Sequence, residues 1–478
     1  MTQIITQNSL ELTKCDGVIV MADDSMTLPK YPALDELLAV SKESNFKMNW
    51  WTTTHRAPYL HTAFINMGEK NDMAQMDALA DAVREMKKRK VCSLGIEASQ
   101  LLANASNPRR SLKHLVESVL LVANENGYPN PNADAFQMET LYIAGDFTDD
   151  AAFEEGRLLA EMTLRARSMV NIPANIMTPS ALADEAVQMG RENGFEVEVL
   201  DTASIAALHM SAFMAVAKGS AEAPKLIVMR YFGNADSDAR IGLIGKGLTY
   251  DSGGLSIKPT SSMQHMKNDM GGAAAVIGAM GAIAKQALKV NVIGVIAACE
   301  NMISGTGYKP GDIIDSMGGK RIYIGNTDAE GRLTLVDAIH YAIEAEQVTM
   351  LFDIATLTGA ARHCLGEAAT PIVSNDETLV KLAEKAFLKS GERVWEMPNY
   401  PEYHEQIKHA EADLNNSGGQ PGVSTAAAFL EAFVQKKPWI HFDIGATAYL
   451  SKAKGVNPTG ATGIGVRGLY HMVKKISK

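Results

Sequence analysis

The sequence predicts an α/β protein of two domains. A smaller amino-terminal α/β domain covers residues 1–150, a linking helix covers 151–169, and a larger carboxy-terminal α/β domain with a mixed central sheet covers 170–478. Three observations carry this. Short apolar runs alternate with amphipathic segments along the whole chain, the pattern of helices laid over sheets. With 478 residues, the chain is longer than one compact core usually serves. Between the two alternating regions lies a helical stretch, Ala151 to Met169, preceded by Asp146, Asp149 and Asp150 and ending with Arg165 and Arg167, a charge order that suits the helix dipole.

In the first region Gly17 to Met21, His61 to Met67, Val91 to Ile96 and Leu141 to Ala144 read as strands. Asn71 to Lys88 sets Met76, Leu79, Val83 and Met86 at helical spacing, with Asn71 as a cap. Its basic end, Lys87 to Lys90, is better explained by the helix dipole than by an anion site. Ser111 to Asn124 repeats the pattern with Leu112, Leu115, Val116, Val119 and Leu120. His55 and His61, near Trp50 and Trp51, read as packed residues, so the first domain carries no chemistry. Past Pro179, Phe195 to Leu200 alternates as a half-exposed strand, whereas Lys225 to Phe232, Ile241 to Ile244, Val290 to Cys299 and Met350 to Ile354 read as buried strands. Helices are expected over Met270 to Leu288, Leu333 to Glu346 and Thr425 to Val434, with His340 a satisfied core histidine.

Composition narrows the function classes. An apolar content of 46% with 21% charged residues is ordinary for a globular chain, and a net charge of -10 argues against nucleic acid bound by bulk electrostatics. The four cysteines lack paired spacing and read as free thiols of a reducing compartment. Neither a secretory leader nor a bilayer-length apolar run is present, so the expected location is cytoplasmic.

Polar residues concentrate in two stretches. Asn326-Thr327-Asp328-Ala329-Glu330-Gly331-Arg332-Leu333 follows the apolar run Arg321 to Gly325; were it extended, Asp328, Glu330 and Arg332 would share one face. Taken alone, it reads first as a polar loop capping the next helix. The second stretch, Ile241 to Gly272, changes that balance, because it adds Lys246, Asp251, Lys258 and Asp269 among repeated glycines. Lys246 would sit at the carboxyl end of a buried strand, the edge at which open α/β sheets bind ligands. A phosphate loop is excluded, since Lys246 is followed by Gly247.

These blocks resemble the leucyl aminopeptidase family, two-metal peptidases that remove amino-terminal residues from peptides. The octet matches the family hallmark without a substitution. The runs Gly245 to Gly254, Met266 to Gly272 and Ala355 to Ala360 resemble further family blocks in the same order, and the likeness extends from about Val170 onward. In Asp443-Ile444-Gly445-Ala446-Thr447 the glycine and alanine stand in the opposite order to the family's usual one.

The resemblance implies two divalent metal ions per subunit, which would balance the charges of Asp251, Asp269, Asp328 and Glu330. Position by position, Asp251 and Glu330 are the expected bridging ligands, Asp269 and Lys246 serve one metal, and Asp328 serves the other. Lys246 must then be a neutral amine, a form that nearby metal charge favours. Peptide hydrolysis would use water activated between the metals. Lys258 is expected to face the oxyanion, and Arg332 to hold a bicarbonate acting as proton shuttle. Met266, Thr356, Leu357 and Gly359 are expected to line the substrate cleft. Zn or Mn is the leading metal, and Mg or Co also suits an oxygen-rich site with one amine. Peptides with a free amino terminus are the expected substrates and a hexamer the expected assembly. The rival is a regulatory or DNA-binding protein on an aminopeptidase scaffold, which the intact ligand set disfavours.

Overall fold

The computed structural model describes residues 1–22, 31, 34, 36, 49–53, 61–66, 72–103, 105, 107–125, 128, 136–145 and 149–478. His55, Met67, Asn71 and Asp146, named above, lie outside the described residues. Contacts divide the chain into two compact units, Met1–Leu164 with Lys452–Thr459 and Arg165–Ser451 with Gly460–Lys478. The division falls within the helix Asp150–Asn171. Residues 452–459, which the sequence placed in the second domain, cluster with the first unit: Arg84 Nη2 donates to Gly455 O at 2.8 Å, and Val456 packs on that unit's core.

Among the described residues, the first unit holds a six-stranded sheet in the order β1 (Gln3–Gln7), β6 (Thr140–Ala144), β5 (Ser93–Glu97), β2 (Gly17–Ala22), β4 (His61–Asn66), β3 (Asn49–Thr53). Its pairings are parallel except at the β3 edge. Helix α1 (Asp72–Lys88) buries Met76, Leu79, Val83 and Met86, and α2 (Pro108–Ala123) buries Leu112, Leu115, Val116, Val119 and Leu120, as their spacing predicts. Asn107 caps α2 by accepting from Arg110 N.

The second unit is built on an eight-stranded mixed sheet in the order β15 (Val394–Glu396), β14 (Thr370–Ser374), β17 (Trp439–Asp443), β13 (Met350–Ala355), β9 (Arg240–Asp251), β10 (Asn291–Asn301), β8 (Lys225–Phe232), β7 (Glu196–Leu200). A three-stranded sheet adds β11 (Ile313–Asp315), β12 (Arg321–Tyr323) and β16 (Leu414–Asn415). The central four, β17-β13-β9-β10, run parallel, so their carboxyl ends share one edge. Helices α3 (Pro179–Asn193), α4 (Gly271–Lys285), α6 (Glu377–Lys389) and α8 (Val466–Ile476) cover one face of the sheet, and α5 (Gly331–Glu344) and α7 (Gly422–Glu431) cover the other.

The structure also differs from the sequence reading along the strand that carries Lys246. Lys246 is not at the end of its strand, because β9 runs on to Asp251 with Lys246 opposite Ala297 and Asp251 opposite Asn301. Gly245, inside this strand, lets α4 close on the backbone: a Cβ there would lie 2.8 Å from Ala273 Cα. The segment from Asn326 to Glu330 is a turn leading into α5, which begins at Gly331, in keeping with the loop reading of the octet and not with the extended alternative. His340 is half-buried at the edge of the core, its Nδ1 3.3 Å from Gln435 Nε2. No helix among the described residues is long and apolar enough to cross a membrane, and all four cysteines are free thiols.

Candidate active site

The shared carboxyl edge of the parallel strands positions the charged residues, as expected for an α/β sheet whose central strand is flanked by crossovers on both sides. Strand β9 carries Lys246 and ends at Asp251, β10 ends at Asn301, β13 leads into Thr356 to Gly359, and β17 ends at Asp443. Asp269 comes from the short 3-10 helix Met266–Met270, Asp328 and Glu330 from the turn before α5, and Arg332 from the first turn of α5.

Each lysine lies between two acids. Lys246 Nζ is 2.8 Å from Asp269 Oδ2 and 2.9 Å from Glu330 Oε1, and it donates to Thr356 O at 2.9 Å. Lys258 Nζ is 2.9 Å from Asp251 Oδ2 and 2.5 Å from Asp328 Oδ1. Gly331 makes room for this: a Cβ there would lie 2.3 Å from Lys246 Cε. Lys246, Asp251, Asp269 and Glu330 are buried, and Asp328 is half-buried.

The cluster is electrostatically crowded. Burial, with the charges of Glu330 and Asp269 added, drives the Asp251 carboxyl well above the usual range. Burial also raises Asp269 against the pull of Lys246, and it raises Asp328 with help from Glu330. Glu330 is held low, because Lys246 and Lys258 outweigh its own burial. Burial works against both ammonium groups, yet the carboxylates prevail and hold both lysines above their ordinary value. With protein charges alone, Lys246 is therefore an ammonium; its expected neutral form needs cations to take over the balancing of these acids.

A divalent cation fits the residues present. Oxygen atoms of Asp251, Asp328 and Glu330 all lie within 4.8 Å of one another. Glu330 Oε2 is buried without a hydrogen-bond donor, a costly arrangement that a cation would relieve. Carboxylate oxygens suit hard or borderline divalent ions. Asp269 stands apart from that trio, across Lys246.

Arg332 is buried and makes no ion pair with the acids among the described residues, so it does not serve as the pairing residue of a simple loop. Burial lowers its pKa to about 10, against the pull of Glu330 and Asp443, and its Nε has no hydrogen-bond partner. Of the expected cleft residues, Thr356 donates from Oγ1 to Asp269 Oδ1 at 2.7 Å, and Leu357 N donates to Asp443 Oδ1 at 3.2 Å. Gly359 is exposed at the start of the short helix Ala360–Leu365, and Met266 is half-buried at the head of the helix that carries Asp269. The reversed Gly445-Ala446 order keeps glycine where space is smallest, since a Cβ at 445 would lie 2.5 Å from Thr358 O. The sequence reading names Asp443 within a family block but gives it no role; it accepts from Leu357 N, Thr358 N, Thr358 Oγ1 and Gly445 N and so organises that loop. The sequence reading passed over Asn301, whose only sequence signal is a buried-strand run closing on polar residues.

Residues 164–470 match the model of the cytosol aminopeptidase family, catalytic domain. The chain is 41% identical to a probable cytosol aminopeptidase of Clostridium perfringens (strain 13 / Type A), over 98% of each chain. It is 52% identical to that of Clostridium tetani (strain Massachusetts / E88) over 67% of each. Among solved structures, a mutant of tomato leucine aminopeptidase aligns with a TM-score of 0.87 and 29% identity, covering 99% of this chain and 97% of that one. The bottromycin maturation enzyme BotP in complex with Mn aligns with a TM-score of 0.85 and 28% identity, covering 97% and 100%. The chain belongs to the cytosol aminopeptidase family and is a metal-dependent aminopeptidase, a hydrolase acting on peptides.

Proposed function

We propose that this aminopeptidase works through two divalent cations held by Lys246, Asp251, Asp269, Asp328 and Glu330. The observation that carries the proposal is the convergence of Asp251, Asp328 and Glu330 oxygens within 4.8 Å beside the orphaned Glu330 Oε2. When bound, the cations would supply an acidified water and polarise the peptide carbonyl. By the family resemblance Asp251 and Glu330 would serve both ions, Asp269 and Lys246 would complete one, and Asp328 the other. Lys258, on the Asp251 and Asp328 side, would face the developing negative charge of the carbonyl oxygen. Arg332, with an unpartnered Nε, would hold a bicarbonate that carries a proton away from the attacking water. Thr356, Leu357, Gly359 and Met266 would border the first substrate side chain.

Zn and Mn are the leading ions, Mn supported by the complex of BotP. We assign chemistry to residues 170–478, with 1–150 as a separate α/β domain and 151–169 as the linking helix. A cytoplasmic location and a hexamer complete the reading. No observation favours the DNA-binding alternative. The test is turnover of amino-acid amides by the full chain. Chelation should abolish it, added Zn or Mn should restore it, and acetylation of the substrate amine should prevent it. Full activity in verified metal-free protein would sink the proposal.

A further inference from the structure

We propose that Asn301 is the positioning residue of the acidic cluster: its side-chain amide clamps Asp251 and the turn bearing Asp328 to one another, turning a single oxygen of Asp251 towards the site. The inference rests on the reading of Asp251 as a metal ligand.

Asn301 closes β10 opposite Asp251 and is fully buried, an unusual place for an amide unless both of its hydrogens are used. They are used. Nδ2 donates to Asp251 Oδ1 at 2.8 Å and to Thr327 O at 3.0 Å, joining the end of β9 to a turn 76 residues further along the chain. Asp251 Oδ1 also accepts from Gly253 N at 2.8 Å. With two donors on Oδ1, Oδ2 is the oxygen left to face the cluster, and it is the one that Lys258 approaches at 2.9 Å.

The backbone carbonyl of Asn301 extends the clamp. It accepts from Ser252 N at 3.0 Å and from Ser252 Oγ at 2.7 Å, and Ser252 O in turn accepts from Lys258 N at 3.0 Å. On the other side, Thr327 O also accepts from Tyr308 Oη at 2.7 Å, while Thr327 Oγ1 donates to Gly253 O. The buried side chain therefore sets the spacing of Asp251 and the turn bearing Asp328, while the backbone carbonyl of the same residue holds the loop that leads to Lys258. Groups that orient metal ligands in this way typically govern affinity by 10- to 100-fold when lost.

The test titrates Mn²⁺ alone into chelator-stripped full-length protein, wild type beside Asn301→Ala, Asn301→Ser, Tyr308→Phe and Asp251→Asn, with melting temperatures measured in parallel. Ser retains a donor too short to span both acceptors and removes less packing, so it answers the question should the alanine variant fold poorly. We expect both Asn301 variants to bind Mn²⁺ about 10- to 100-fold more weakly and to lose kcat at saturating Mn²⁺ with KM little changed. Tyr308→Phe removes a bond to the same Thr327 carbonyl without touching Asp251, and its affinity should stay within about threefold of wild type, well short of the loss expected for a ligand-orienting group. A lowered melting temperature with wild-type Mn²⁺ affinity in the Asn301 variants overturns the inference, as does an equal loss in Tyr308→Phe. If Asp251→Asn itself binds Mn²⁺ normally, the metal-ligand reading fails; if Asp251→Asn loses Mn²⁺ while the Asn301 variants do not, the positioning inference fails alone.

Discussion

Replacing Gly331 with alanine would place a methyl group against Lys246, 2.3 Å from Cε, 2.7 Å from Nζ and 2.9 Å from Cδ. Carbon atoms in contact settle near 3.5 Å or beyond, so one partner must move by roughly 1.2 Å. The helix itself does not object, since alanine is the better helix former by up to about 1 kcal/mol. The lysine chain yields, and its Nζ cannot move that far and keep 2.8 and 2.9 Å contacts with Asp269, Glu330 and Thr356 O. Overpacking a buried site costs about 1–3 kcal/mol of stability. Displacing a candidate ligand should weaken one cation site by 10- to 100-fold, about 1.4–2.8 kcal/mol. Calorimetric Mn²⁺ titration and thermal unfolding of Gly331→Ala measure the two effects separately. In a Lys246→Ala background the new methyl meets nothing from the lysine, so the two changes should be strongly non-additive. Wild-type Mn²⁺ affinity in Gly331→Ala, or additive behaviour in the pair, would refute this account of the glycine.

The two lysines should part company on mutation: Lys258→Ala is expected to keep its metals and lose about 10²- to 10³-fold in turnover, as for removal of one oxyanion donor, whereas Lys246→Ala should lose metal at one site. Metal analysis with steady-state kinetics checks this, and the reverse pattern would discard the role assignment. Asp337, fully buried on α5, accepts from Phe213 N and Met317 N at 2.9 Å each, yet burial outweighs these bonds and pushes its pKa to about 7. The unfolded value is about 4, so between about pH 4 and 7 the folded chain alone carries this proton, and Asp337 makes stability fall by about 1.4 kcal/mol per unit as pH rises. Urea unfolding across that range should show a shallower decline in Asp337→Asn than in wild type; equal slopes would contradict the assignment.

Residue chemistry and local period were legible without coordinates. Asp328, Glu330 and Arg332 were recognisable because they occupy one contiguous octet, and Met76 to Met86 on α1 because a helix repeats every 3.6 residues whatever it packs against. The α/β class followed from that same local alternation. Patterns of this kind report which face of an element is apolar, not which distant element it meets. The apolar run Ile241 to Ile244 puts Lys246 at a strand end in sequence, whereas pairing with β10 carries the strand on to Asp251, and Gly245 lies within it where α4 closes on the backbone. The octet's place as a loop entering a helix is legible in sequence, but side-chain spacing alone does not distinguish an extended run from a turn there, and the structure shows the turn. Tertiary structure alone decided that Lys246 lies between Asp269 and Glu330, that β17 joins β13 so that Asp443 gathers the Thr356 to Gly359 loop, and that Asn301 falls opposite Asp251. Each of these depends on strand register between segments far apart in sequence, which is set by the burial of whole faces against one another rather than by any residue's neighbours along the chain.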